Sequence, residues 1–236
     1  MERSATSASR VPGAEEHRTT AGTAPAGEAL EPAIAVAGLR KDFGDRTALS
    51  ELDLRVEAGG SVAVLGPNGS GKSTLLRILA GLLRPSGGEV SVLGCELPKE
   101  THRLRGRVGY LGHEPLLYRD LSPRENLELA AALHGIEPGV AGERIHVLLE
   151  EVGMTARAGD RVAELSAGMK QRIDICRAVL HRPQLLLLDE PDAHLDPDAR
   201  RSIAPLIAAG DGRTRVLVSH ERGLATEQSD FVLELG

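Results

Sequence analysis

Residues 66–74 read GPNGSGKST, between SVAVL (61–65) and LLRILAGLL (75–83). The run before it has the length and apolar character of a buried strand, and the run after it has helical length. The spacing is G-x-x-x-x-G-K-[ST] in a strand–loop–helix setting. Glycines let backbone N–H groups curl around phosphate oxygens without a Cβ in the way. A helix starting near Lys72 adds its positive N-terminal end. Lys72 supplies an ammonium for the β- and γ-phosphates, and Ser73 an oxygen for Mg²⁺. The chain holds only four lysines among its 28 basic residues, so a lysine here stands out against the composition. Gly66, Asn68, Gly69, Ser70, Gly71, Lys72, Ser73 and Thr74 are thus the expected phosphate cradle.

The same kind of apolar run recurs at 185–188 and 216–218. Strands without alternation are buried on both faces, which predicts a parallel sheet covered by helices, an α/β fold. Alternating runs, IAVAGL (34–39) and LSELDLRV (49–56), predict half-buried strands, with order beginning near Ala33. Ser122-Pro123-Arg124-Glu125 has the form of a capping box with proline at the first helical position, predicting a helix that stops at Gly135. A second helix is expected over roughly 141–152. Residues 1–31, rich in Ala, Ser, Thr, Gly and Pro, are expected to be disordered.

Composition narrows the rest. At 236 residues the chain suits one large domain or two packed lobes. Aromatics are 2% and Trp is absent, so the core must be aliphatic. A net charge of −6 gives no reason to expect nucleic acid as a partner. Two distant cysteines, Cys95 and Cys176, fit a reducing compartment rather than a disulfide framework. No run approaches the ~18 apolar residues of a membrane span, and the N-terminus lacks the apolar core of a secretory signal.

LLLLDE (185–190) delivers two acids at a strand's C-terminal end, where ligands sit in open α/β sheets. Asp189 is the expected Mg²⁺ ligand and Glu190 the general base for an attacking water. A salt-bridged pair at a strand end is the plainer alternative. LSAGMKQR (165–172), HLDPDAR (194–200) and VLVSHE (216–221) then follow the remaining pieces of a known order. From about Ile34 to Gly236 the sequence resembles the ATP-binding cassette (ABC) ATPases.

That resemblance implies a P-loop NTPase of ABC type over 32–236. A RecA-like parallel core carries an antiparallel β lobe and a helical lobe inserted at about 113–180. It implies ATP and Mg²⁺ as ligands, and two cassettes that sandwich two ATP molecules head to tail. Ser166, Ala167 and Gly168 would then contact the partner cassette's γ-phosphate. His220 would contact the γ-phosphate within its own chain, and Asp196 would line the interface. Phe43 stands where the family stacks an aromatic on adenine; a core Phe is the alternative. Two residues depart from the family's signature: Ala167 replaces a glycine, and Met169 replaces a glutamine and loses its hydrogen-bonding side chain.

His113, in YLGHEPLLYRDLS (110–122), occupies the place of a family glutamine that contacts the metal or its water. It is therefore expected beside the nucleotide, with a solvated loop residue as the alternative. The LGH loop and the short cassette are similar to the ATP-binding subunits of haem exporters in cytochrome c maturation; other small exporter ATPases look alike. The resemblance implies an ATPase on the cytoplasmic face of the cell membrane, peripheral, with a separate transmembrane permease subunit and a second cassette, identical or paralogous. A soluble cassette ATPase acting on DNA ends or the ribosome, and an inert binding module, are the other classes. The transported molecule is not written in this chain.

Overall fold

The computed structural model describes residues 8–10, 31–210, 212–219, 222–227 and 229–236. Two sheets organise them. The first contains β1 (Ala8–Arg10), β4 (Ser61–Leu65), β7 (Val108–Leu111), β8 (Leu185–Asp189), β9 (Thr214–Val218) and β10 (Phe231–Glu234), in the order β1-β10-β4-β9-β8-β7. Every pairing in it is parallel except β1 on β10. The second is antiparallel: β2 (Ile34–Phe43), β3 (Arg46–Val56), β5 (Gly87–Val92) and β6 (Cys95–Leu97), in the order β3-β2-β5-β6. The helices are α1 (Lys72–Leu79), α2 (Pro123–Leu133), α3 (Pro138–Glu151), α4 (Ala167–Val179), α5 (Pro197–Ile207) and α6 (Arg222–Glu227).

The continuous apolar runs do what their composition demands. All five residues of β4, β8 and β9 are buried. The period-two pleat of β8 and β9 then divides two cores. Leu186, Leu188 and Leu217 face a core shared with α2, α3 and α4. Leu185, Leu187, Val216 and Val218 face a core shared with α1 and the antiparallel sheet. The α/β class, with a parallel sheet, an antiparallel sheet and helices, matches the expectation.

The capping box at α2 is complete. Ser122 Oγ accepts from Glu125 N at 3.2 Å, and Glu125 Oε2 accepts from Ser122 N at 2.8 Å. The second helix begins at Pro138 rather than near 141, because Glu137 caps it by accepting from Val140 N at 3.0 Å and proline fills its first position. Within the segment expected to be disordered, Ala8–Arg10 instead forms β1, on the edge of β10. An unpaired edge offers a ladder of backbone donors and acceptors to any extended chain within reach, whatever its composition. Residues 1–7 and 11–30 lie outside the described residues, and so does His220.

Candidate nucleotide site

Strand order decides which loops meet. β4, β9, β8 and β7 are neighbours and parallel, so their C-terminal ends lie along one edge. β4 leads into the phosphate loop, β8 ends on Asp189, and β7 leads through Gly112 to His113. β9 ends at Val218, two residues before His220.

The phosphate loop is built from inside the chain. α1 starts at Lys72, capped by Gly71 at φ 98° with no side chain on its first-turn N–H groups. Those donors have no intrahelical partner and suit an anion. A Cβ on Gly71 would sit 2.5 Å from Ala48 O and 2.6 Å from Leu49 Cδ2, so neither the conformation nor the space admits another residue. Lys72 is buried, and its Nζ donates to Gly66 O at 2.7 Å and to Pro67 O at 2.9 Å. An ammonium has three donors, so one remains for a ligand. Ser70 Oγ is buried without a hydrogen-bond partner in the loop.

Above the loop lies a cleft of about 560 Å³, which brings Phe43, Asn68, Lys72, Ser73, His113 and Glu190 together; Arg46, Gly69, Gly71 and Thr74 also line it. Phe43 is 49% exposed and is not a core residue. Lys41 Nζ sits 4.9 Å from its ring centroid and is anchored by Arg84 O at 2.9 Å, which backs one face of the ring with a cation. His113 is exposed and lines this cleft, not open loop surface alone.

His113 and Glu190 also line an adjoining hollow of about 220 Å³ with Ala167, Lys170, Asp189 and His194. Asp189 is buried, and its Oδ2 has no hydrogen-bond partner. A carboxylate oxygen without a donor suits a divalent cation's shell, so Asp189 and Ser73 fit a hydrated Mg²⁺ that keeps most of its waters. Among the described residues no three His, Cys, Asp or Glu side chains gather as a dedicated metal cage, and Mg²⁺ at phosphates needs none. Glu190 adopts φ 52°, a costly conformation for a non-glycine residue. It is held by Glu190 N donating to Val218 O at 3.0 Å and by Ala193 N donating to Glu190 O at 3.1 Å.

Gln171, which the sequence reading passed over, also holds this turn. Buried on α4, its Nε2 donates to Pro191 O at 3.1 Å and to Glu190 O at 3.4 Å. A polar residue on the buried face of an amphipathic helix was the available signal.

The signature residues sit apart from the cleft. Ser166 caps α4, its Oγ accepting from Met169 N at 3.2 Å, and both Ser166 and Ala167 are exposed. Gly168 abuts the loop after Glu190, since a Cβ there would lie 2.5 Å from His194 O. Ala167, though exposed, lines the hollow beside His113 and Glu190. Met169 packs on the core of the helical lobe, where a thioether suits the surroundings better than an amide. Asp196 caps α5 by accepting from Ala199 N at 2.8 Å and pairs with Arg172 at 3.1 Å.

A buried carboxylate and a partly buried guanidinium on α4 clamp the His113 loop. Asp174, fully buried, accepts from Leu116 N at 3.2 Å and from Arg177 Nε at 2.6 Å. Arg177 also donates to Tyr110 O at 2.7 Å. The clamp therefore grips the chain three residues before and three residues after His113. Burial raises the Asp174 carboxyl above its ordinary range, and Arg177 opposes that rise. Nearby, His181 and His134 stack with centroids 3.8 Å apart, and a ring nitrogen of His181 meets Val108 O at 3.1 Å. Burial pushes His181 down to about 4 and also lowers His134.

Comparison with known proteins agrees with this geometry. The ABC transporter family model matches residues 49–193. The chain is 38% identical over 204 residues to the daunorubicin resistance ATP-binding protein DrrA3 of Streptomyces coeruleorubidus, covering 86% of this chain and 65% of that protein. It is 37% identical over 194 residues to Nod factor export ATP-binding protein I of Cupriavidus pinatubonensis, covering 81% and 60%. It thus spans about three fifths to two thirds of these curated relatives. Among solved structures, the cassette MJ0796, described as dimeric in a post-hydrolysis state bound to ADP and Pi, superposes with a TM-score of 0.78. It is 26% identical, over 86% of this chain and 94% of that one. No helix among the described residues is long and apolar enough to cross a membrane. The chain belongs to the ABC transporter family.

Proposed function

We propose that this chain is the ATP-hydrolysing subunit of an ABC exporter, driving a separate membrane-embedded partner from the cytoplasmic face of the membrane. The observation that carries the reading is the single cleft in which Lys72, Ser73, His113 and Glu190 meet beside the exposed ring of Phe43. Names of relatives, which cite drug resistance and Nod factor export, support an exporter. The narrower expectation of haem export rests on the LGH loop and the short cassette, and neither relative's name mentions haem, so the general exporter is the reading we adopt.

In this reading adenine stacks on Phe43, while the first-turn N–H groups of α1 and the Lys72 ammonium hold the β- and γ-phosphates. Mg²⁺, when bound at Ser73 and Asp189, offsets phosphate charge. Glu190 takes a proton from water as the water oxygen bonds to the γ-phosphorus and the bond to ADP breaks, giving ADP and phosphate. His113, which lines the same cleft, orients the water shell. Ser166, Ala167 and Gly168 of a second cassette close the site with the N-terminus of its α4. His220 is assigned to the γ-phosphate of its own chain.

Glu190→Gln is the direct test. The variant is expected to bind ATP, to hydrolyse it at least 100-fold more slowly, and to accumulate as an ATP-bound dimer by size-exclusion chromatography. Hydrolysis near the parental rate would remove Glu190 from this role.

A further inference from the structure

We propose that Arg46 is a second cationic contact for the nucleotide's phosphates, joining Lys72 at the phosphate loop. The inference rests on the nucleotide reading of the cleft and adds a residue to it. Phe43 and Arg46 are direct partners across the β2–β3 hairpin, whose turn is made by Gly44 at φ 56° and Asp45. The residue that places Phe43 at the cleft therefore places Arg46 there too.

The Arg46 guanidinium donates to Gly69 O, within the phosphate loop, at a long 3.3 Å. Guanidinium has five donors, and this bond uses one of them on a neutral acceptor. Among the described residues Arg46 has no carboxylate partner. That sets it apart from the surface arginines at 55, 103, 157 and 201, each paired with a nearby acid. Asp42, on the same hairpin, is already engaged by Arg40 at 2.9 Å and by Thr47 Oγ1 at 2.8 Å. The loop's carbonyls are thus met by a buried ammonium at Gly66 and Pro67 and by an exposed guanidinium at Gly69. An anion of several charges in the cleft meets both, and the planar fork of arginine suits two phosphate oxygens at once.

The plain alternative is that Arg46 only braces Gly69. The two roles separate by charge. Glutamine at 46 keeps a donor for a carbonyl and loses the charge; lysine keeps the charge. The measurement is equilibrium binding of ATP, ADP and adenosine in EDTA, which suppresses hydrolysis, for wild type, Arg46→Gln, Arg46→Lys and Lys72→Ala. Arg46→Gln is expected to weaken ATP binding about tenfold (about 1.4 kcal/mol), Arg46→Lys by about threefold or less, and neither to change adenosine binding. The gap between wild type and Arg46→Gln should shrink in high salt. Gln and Lys variants that bind ATP alike, or that lose adenosine by the same factor, overturn the proposal. If wild type binds ATP and Lys72→Ala does not, the nucleotide reading stands whatever Arg46 does. A wild type that binds no ATP overturns both.

Discussion

The phosphate loop and the start of α4 both expose a helix N-terminus, yet the chain treats them oppositely. The loop is finished internally. Its lysine is buried and tied to two carbonyls, and Gly71 is wedged against β3. At α4 the cap residue and the one after it are exposed, and only Gly168 is pressed against the chain's own loop, at His194. One terminus is shaped to bind a ligand alone. The other is shaped to be presented to something else, and its donors lie outside the cleft that holds Lys72 and Glu190. An anion-binding helix end is costly to leave unpartnered in a closed site and cheap on open surface. The exposure of Ser166 and Ala167 therefore carries functional meaning.

The strongest way to break this comparison is to damage each end separately and then mix. Lys72→Ala should abolish ATP binding. Ser166→Ala should leave ATP binding by the single chain within about twofold. Hydrolysis should fall at least 100-fold in both, a transition-state loss of about 3 kcal/mol or more. Mixed together, they form one composite site with an intact loop from one chain and an intact signature from the other. ATPase activity of the mixture above that of either variant alone is the expected result. A mixture as inactive as its components, with dimers present, would show that the two termini do not serve one site.

A second comparison lies inside α4. Its first turn faces outward, while Asp174 and Arg177, further along, grip the His113 loop from within. Removing one member of a buried pair leaves the other charge uncompensated, at a cost of about 3 kcal/mol. Arg177→Met should therefore lower unfolding stability by about that much in urea titration. It should also reduce ATP turnover more than ATP binding, since the loop it holds reaches the cleft by way of His113. A stable variant with parental turnover would reduce the clamp to ordinary packing.

These contrasts explain what could be read from sequence. The phosphate loop was legible because glycine spacing and one lysine among many arginines carry a local meaning. LLLLDE was legible because strand burial and strand-end acids are both local. Arg46, Gln171 and the Asp174–Arg177 clamp were not, because each acts on residues far away in sequence, and their value depends on strand order and helix rotation. The start of α3 was missed for a different reason: Glu137-Pro138 is a cap and first-turn signal that was there to be used. β1 lies where composition argues for disorder, and only the neighbouring β10 edge gives it a ladder. β5, β6 and α5 went unassigned at the sequence level, since their short runs are interrupted by charge and glycine.

The smallest expected effect concerns the stacked histidines at the junction of α2, α4 and β7. Burial, then the proximity of His134, holds His181 at about 4, against histidine's ordinary 6.5. Arg177 also opposes protonation of both rings, while Val108 O favours it at His181; Asp174 pairs with Arg177 at 2.6 Å. Between pH 6.5 and 4 the unfolded chain therefore binds more protons here than the folded one, so stability falls as pH drops through that window. Above 6.5 both states are neutral and the group contributes no pH dependence. A tenfold change in proton affinity is about 1.4 kcal/mol, so lowering the pH from 7.5 to 5 should cost about 2 kcal/mol at His181. Urea unfolding of wild type and His181→Phe at the two pH values checks this. The phenyl ring keeps the stacking surface and cannot take the proton, so the variant's loss should be smaller by that amount. Equal losses in the two proteins would place the acid sensitivity elsewhere, in the carboxylates that also titrate below pH 5, and the junction would then be held by packing alone.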